Sequence, residues 1–257
     1  MIGEHRVRRE LGRYGTVVSI TSNVFEHLTA FKGCGNPAGD YWFIGLEEGF
    51  SFDAKDGVAY ETVLSQEIDI RATWNAIEDV HHTRASLGIP MRKRGDNVWY
   101  AISRMVLKLN HVDGWNKVEQ SRPYKEERLG RLDGDTFLAD LYPLPSESLG
   151  IWPYPSLYPS RKKYEETIFP RRKKLIQDLW LDHTPRYVFC YGKLDDEWMR
   201  FKQLFPANYE PRTFDKHDIQ LAVVGGSVIV LTHHLTWLNV DPLGEIVDAV
   251  LEYEARK

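Results

Sequence analysis

The sequence predicts an α/β protein, a three-layer αβα sandwich with a central four-stranded parallel sheet, and three observations lead there. Four short runs rich in β-branched and aromatic residues, Trp42–Leu46, Thr136–Leu141, Arg186–Tyr191 and Ser227–Thr232, each stop at turn or polar residues. Stretches with apolar residues at three-to-four spacing lie between them. The runs are nearly continuous rather than alternating, as expected of strands buried on both faces.

The first run, within Tyr41-Trp-Phe-Ile-Gly-Leu-Glu-Glu-Gly-Phe50, delivers two carboxylates, Glu47 and Glu48, into a turn bounded by glycines. A helical pattern follows over Tyr60–Ile70, then a polar segment, 71–95, carrying His81, His82, Arg84 and Arg92 to Arg94. Asp96–Leu109 is again helical, and the second strand run ends at Asp140 and Tyr142. Between Leu144 and Lys163 the chain is rich in proline and aromatics, which predicts a stiff, exposed loop. There Trp152, Tyr154 and Tyr158 have the chemistry to stack on bases, and Arg161, Lys162 and Lys163 to meet phosphates. The alternative for this loop is that its aromatics lie on the protein itself. A helix over Tyr164–Leu181 leads to the third strand run, which holds Cys190 and stops at Gly192 and Lys193. Glu197–Leu204 is helical, the fourth run enters His233 and His234, and Leu243–Tyr253 closes the chain as a helix with Pro242 near its start.

At 257 residues and 42% hydrophobic content the chain supports one large core, read as a single domain over 1–257. Two cysteines, Cys34 and Cys190, cannot build a disulfide framework, a four-cysteine zinc site or a four-thiolate iron–sulfur cluster, so a reducing cytoplasmic setting is expected. No apolar run approaches the roughly 20 residues of a membrane helix, and no signal-peptide core is seen. A net charge of −4 excludes a uniformly basic coat, yet positive charge clusters at Arg92 to Arg94, Arg161 to Lys163 and Arg171 to Lys174. No G-x-G-x-x-G or P-loop motif is present, and no cofactor is expected.

In parallel sheets the ligand sits beyond the carboxyl ends of the strands. That rule gathers Glu47 and Glu48, Asp140 and Tyr142, Gly192 and Lys193, and His233 and His234 into one region. Carboxylates and imidazoles at strand tips are the material of acid–base chemistry.

From Tyr41 to Trp237 this pattern resembles the uracil-DNA glycosylase superfamily. Gly45-Leu46-Glu47-Glu48-Gly49-Phe50 falls on its first motif, a strand leading into a short glycine-bounded turn. Thr232-His233-His234-Leu235-Thr236 looks like the family's T-x-H-x-S form of the last motif, and Ala139-Asp140-Leu141-Tyr142-Pro143 falls where the family carries a base-reading asparagine. Glu48 and Leu235 stand where the family has prolines. The resemblance implies that Glu47, with Glu48 able to share the role, orients the attacking water or stabilises the sugar cation. It implies that His234, or His233 in the other register, stabilises the departing base. Phe50 or Phe52 would stack on a flipped base in a pocket shared with Asp140 and Tyr142, and Leu235 or Trp237 would wedge into the vacated space. DNA is the implied partner, the chain a monomer, and no metal is required.

Asparagine offers a donor and an acceptor to uracil, whereas ionised aspartate offers only acceptors. Asp140 therefore suits the amine of cytosine and repels the corresponding carbonyl of uracil. A cytosine reader that spared ordinary DNA needs a further mark, and hydroxymethylated or glucosylated cytosine in phage DNA supplies one. The expected function is thus a DNA glycosylase of antiviral defence. The alternatives are uracil excision in repair, a non-catalytic sensor of modified DNA, a hydrolase of small nucleosides, and a metal-dependent hydrolase built on the His-His pairs.

Overall fold

A computed structural model describes residues 18–49, 58–91, 97–147, 150–192, 196–215 and 217–257. In chain order its elements are α1 (Ser22–Ala30), β1 (Gly33–Gly35), β2 (Tyr41–Gly49), α2 (Tyr60–Arg71), β3 (Ile77–Glu78), α3 (Val80–Ser86), α4 (Asn97–Leu109) and α5 (Val118–Pro123). A π-helical turn (Tyr124–Arg128), β4 (Thr136–Ser146), α6 (Arg161–His183), β5 (Tyr187–Gly192), α7 (Asp196–Leu204), β6 (Glu210–Thr213), β7 (Asp218–Val224), β8 (Ser227–His233), a 3-10 turn (Leu235–Trp237) and α8 (Val240–Ala255) follow. The chain divides into two compact units. The first comprises Met1–Phe31, Glu47–Asn75 and Tyr142–Arg172, and the second Lys32–Leu46, Ala76–Leu141 and Lys173–Lys257.

The protein is α/β, but its sheet is mixed and has eight described strands, ordered β3-β1-β4-β2-β5-β8-β7-β6. The expected four-stranded parallel sheet is corrected accordingly. All four expected strand runs exist, as β2, β4, β5 and β8. Parallel pairing joins β2 to β5 and β5 to β8, in a register that sets Gly45 beside Tyr191 and Tyr191 beside Thr232. Beyond β8 the sheet continues antiparallel through β7 to β6. Gly225 and Gly226, at φ 56° and 95°, close the two-residue turn between Val224 and Ser227, a backbone shape that other residues adopt only with strain. At the other edge β1 pairs parallel with β3 and antiparallel with β4.

In the second unit both sides of the central strands are apolar, which explains the continuous runs. Tyr41, Phe43, Tyr187, Phe189, Val228 and Val230 join Ile102, Met105 and Val106 of α4 and Ile246, Val247 and Val250 of α8 in one buried cluster. Phe43 and Phe189 stack at 5.0 Å between ring centroids. The alternate residues Ile44, Cys190 and Leu231 are fully buried as well. The indole N–H of Trp180 in α6 donates to Ser227 Oγ at 2.9 Å, and that of Trp198 in α7 donates to the Thr232 carbonyl at 3.2 Å. Each fully buried aromatic or branched side chain contributes about 1.5–3 kcal/mol relative to exposure.

The first unit is built on aromatics. Thr21 caps α1 by accepting from the Val24 N–H, and the buried Arg172 donates to the carbonyls of Thr29 and Phe31. The 144–163 stretch does not form the exposed loop expected of it. β4 runs on to Ser146, Tyr154 is fully buried with its hydroxyl donating to the Pro145 carbonyl, and Trp152 stacks on the buried Tyr164 at 5.0 Å. The aromatics that suggested a DNA-facing surface pack on the protein instead: Tyr154 is buried, and the half-buried rings of Trp152 and Tyr158 both lie against the buried Tyr164. No described helix is long and apolar enough to cross a membrane.

Candidate active site

Glu47, in the first unit, lies near the carboxyl end of β2 and is paired with Arg161, the first residue of α6. One guanidinium nitrogen of Arg161 donates to Glu47 Oε2. Another donates to Ser146 Oγ at 2.7 Å and to the Ile151 carbonyl at 2.5 Å, and the guanidinium carbon sits 5.6 Å from the Trp152 ring centre. Both side chains of the pair are largely buried, at 13% and 9% exposure. Burial pushes the Glu47 carboxyl up to about 7, against the pull of the Arg161 charge and the hydrogen bonds from Arg161 and Ser146. Such a carboxyl exchanges a proton near neutral pH, as a general base or acid must.

The second unit assembles a different cluster around Gly45. A Cβ added at Gly45 would overlap Asp140 Oδ1 and lie 3.0 Å from the Tyr191 hydroxyl oxygen. Only glycine leaves room for these two oxygens to converge over the strand. The Tyr191 ring in turn meets the His234 ring edge-on, 5.6 Å between centroids. His234 Nδ1 accepts from the Thr236 N–H at 3.4 Å and lies 2.7 Å from Thr236 Oγ1; with Nδ1 the acceptor in both contacts, the neutral ring carries its proton on Nε2. Burial lowers the His234 pKa, so at neutral pH the ring is a neutral donor at Nε2. A carboxylate acceptor, a phenol and an imidazole N–H thus line one end of the parallel strands.

The two adjacent histidines part company. His233 is turned to Trp198, 6.0 Å between ring centres, and its pKa is likewise lowered by burial. His234 is the one beside Tyr191. After it, Leu235 is 1% exposed and belongs to the core, whereas Trp237 is 63% exposed and 5.8 Å from the His234 ring. Of the two residues expected to enter DNA, only Trp237 faces solvent.

In the first unit Tyr142 is buried and tilted against Tyr164 at 5.9 Å, while Tyr154 keeps no exposed face for a base. Trp152 is half-buried and donates its N–H to the Tyr158 carbonyl at 2.8 Å. Arg161 is committed to Glu47, while Lys162 and Lys163 are exposed at the start of α6. Glu48 lies within β2, but its side chain, together with Phe50, Phe52 and Lys193, lies outside the described residues. Tyr191 and Ser146 were missed by sequence reasoning. Tyr191 was within reach of it: it precedes Gly192 at the tip of a parallel strand whose register neighbours are Gly45 and Thr232. Nothing local in the sequence marks Ser146, which meets Arg161 only through the 146–161 fold.

No protein-family model matches the chain, and no curated protein matches it. Among the described residues no three His, Cys, Asp or Glu side chains gather as a metal ion would require.

Proposed function

We propose that this chain is a DNA glycosylase that hydrolyses the N-glycosidic bond of a modified cytosine, hydroxymethylated or glucosylated, as found in phage DNA, and leaves an abasic site. The observation that carries the reading is the convergence of the Asp140 carboxylate and Tyr191 hydroxyl over Gly45, with His234 at the far edge of the same tyrosine. Cleavage of the glycosidic bond develops positive charge on the sugar and negative charge on the base. In this reading the Nε2–H of His234 donates to the departing base, and the Asp140 carboxylate accepts from the cytosine amine. Glu47, whose proton affinity is tuned to neutrality, takes the role of orienting water or offsetting the sugar's charge from the sequence resemblance alone. Trp237 fills the gap left by the flipped nucleotide, and Lys162 and Lys163 grip phosphates.

The test is alkaline cleavage of duplex and single-stranded oligonucleotides carrying one uracil, cytosine, 5-hydroxymethylcytosine or glucosylated 5-hydroxymethylcytosine after incubation with the protein. Abasic sites only at a modified cytosine support the reading. Abasic sites at uracil convert it to repair, and DNA binding without any abasic site converts it to a sensor.

A further inference from the structure

We infer that Tyr191 is a second determinant of base choice, a positioning residue that fixes the Asp140 carboxylate as an acceptor; this rests on the glycosylase reading above. A carboxylate alone is a poor discriminator. It can rotate away from a repelling carbonyl, or take a proton and become a donor to it, and in either case uracil is tolerated. Discrimination therefore needs something that holds the carboxylate both in place and ionised.

The geometry over Gly45 supplies it. Gly45 and Tyr191 are direct register partners on parallel strands, and Asp140 Oδ1 and Tyr191 Oη both lie against the glycine where any side chain would displace them. A phenol hydroxyl can give its proton to that carboxylate, and a hydrogen bond to the charged form favours the charged form. The Tyr191 ring is fixed from the other side by its edge-on contact with His234. Tyr191 is half-buried and the neighbouring Cys190 and Thr232 are fully buried, so the ring stands on rigid strands rather than on a loop.

The experiment measures equilibrium affinity of the full chain, carrying Glu47→Gln so that the base stays attached, for short single-stranded oligonucleotides with one 5-hydroxymethylcytosine or one uracil. With Tyr191 intact the modified cytosine is expected to bind at least tenfold more tightly. Adding Tyr191→Phe should bring the ratio to near unity, mainly through a gain for uracil. Gly45→Ala, which keeps Tyr191 and sets a methyl group where Asp140 Oδ1 lies, should reduce the ratio in the same way. An equal loss of both affinities in Tyr191→Phe, or an unchanged ratio in folded protein, overturns the inference and leaves the glycosylase reading standing. No preference with Tyr191 intact overturns both.

Discussion

Arg161 holds the Glu47 carboxylate through one guanidinium nitrogen while Ser146 and the Ile151 carbonyl hold another, so the cation cannot leave without breaking three contacts. The pair is balanced: burial favours the neutral carboxyl, and Arg161 favours the ionised one. Removing either influence moves the carboxyl away from the range in which it serves as a base.

If Glu47 acts as the base, excision rises with pH and reaches half its plateau near pH 7, because the group must be ionised to accept a proton. Arg161→Gln removes the charge that favours ionisation, so the half-point moves to higher pH. Single-turnover rates across pH 5–9 check both. A flat profile removes Glu47 from the proton transfer.

Glu47→Gln keeps the shape of the side chain and abolishes its basicity. Excision should fall by about 10²–10⁴, the range that a positioned general base contributes, with DNA affinity within about twofold of the unsubstituted protein. Filter binding and product quantification separate the two effects.

Asp140→Asn restores a donor alongside an acceptor, and should shift preference toward uracil by about tenfold or more, the value of one good edge pairing. Competition between uracil and 5-hydroxymethylcytosine substrates reads it. An unaltered preference would exclude Asp140 as the reader.

The histidine register is tested by paired substitutions. His234→Ala should cost excision about 10²–10³, the cost of losing one donor to a developing anion. His233→Ala, at a ring turned to Trp198, should cost far less. Equal losses would mean that both rings act on the base.

Trp237 and Leu235 should separate in the opposite sense from their order in the motif. Trp237→Ala removes an exposed ring and should weaken DNA binding about tenfold with the melting temperature unchanged. Leu235→Ala empties a core position and should cost about 2–5 kcal/mol of stability. Thermal melts beside binding titrations distinguish them.

All four central strand runs were legible because burial on both faces leaves a continuous apolar signature, as in Phe43, Ile44, Phe189 and Cys190. The wider sheet was not. β1 and β3 are three and two residues long, too short to show a period. The β7–β8 hairpin did carry a signal, Gly225-Gly226 between two apolar runs, which sequence reasoning passed over. Glu47 in the first unit, and Asp140 and His234 in the second, were read as polar residues at strand ends; Glu47 and the histidine pair do stand at the ends of β2 and β8, whereas Asp140 lies inside β4. Tyr191 was passed over although it precedes Gly192 at the tip of a strand run, because an aromatic in a strand reads as core. The partnership of Arg161 with Glu47 spans 114 residues, and no local spacing announces it. Trp152, Tyr154 and Tyr158 suggested a stacking surface, since the same rings serve a core or a base equally well and only the fold decides.

The most direct test of the central claim is mass-spectrometric detection of free base after incubating the protein with DNA in which every cytosine is 5-hydroxymethylcytosine or its glucosylated form, beside ordinary and uracil-containing DNA. Release of free modified cytosine alone, absent with Glu47→Gln, is the predicted result. Release of uracil alone, or of no base from any of these DNAs, would contradict it.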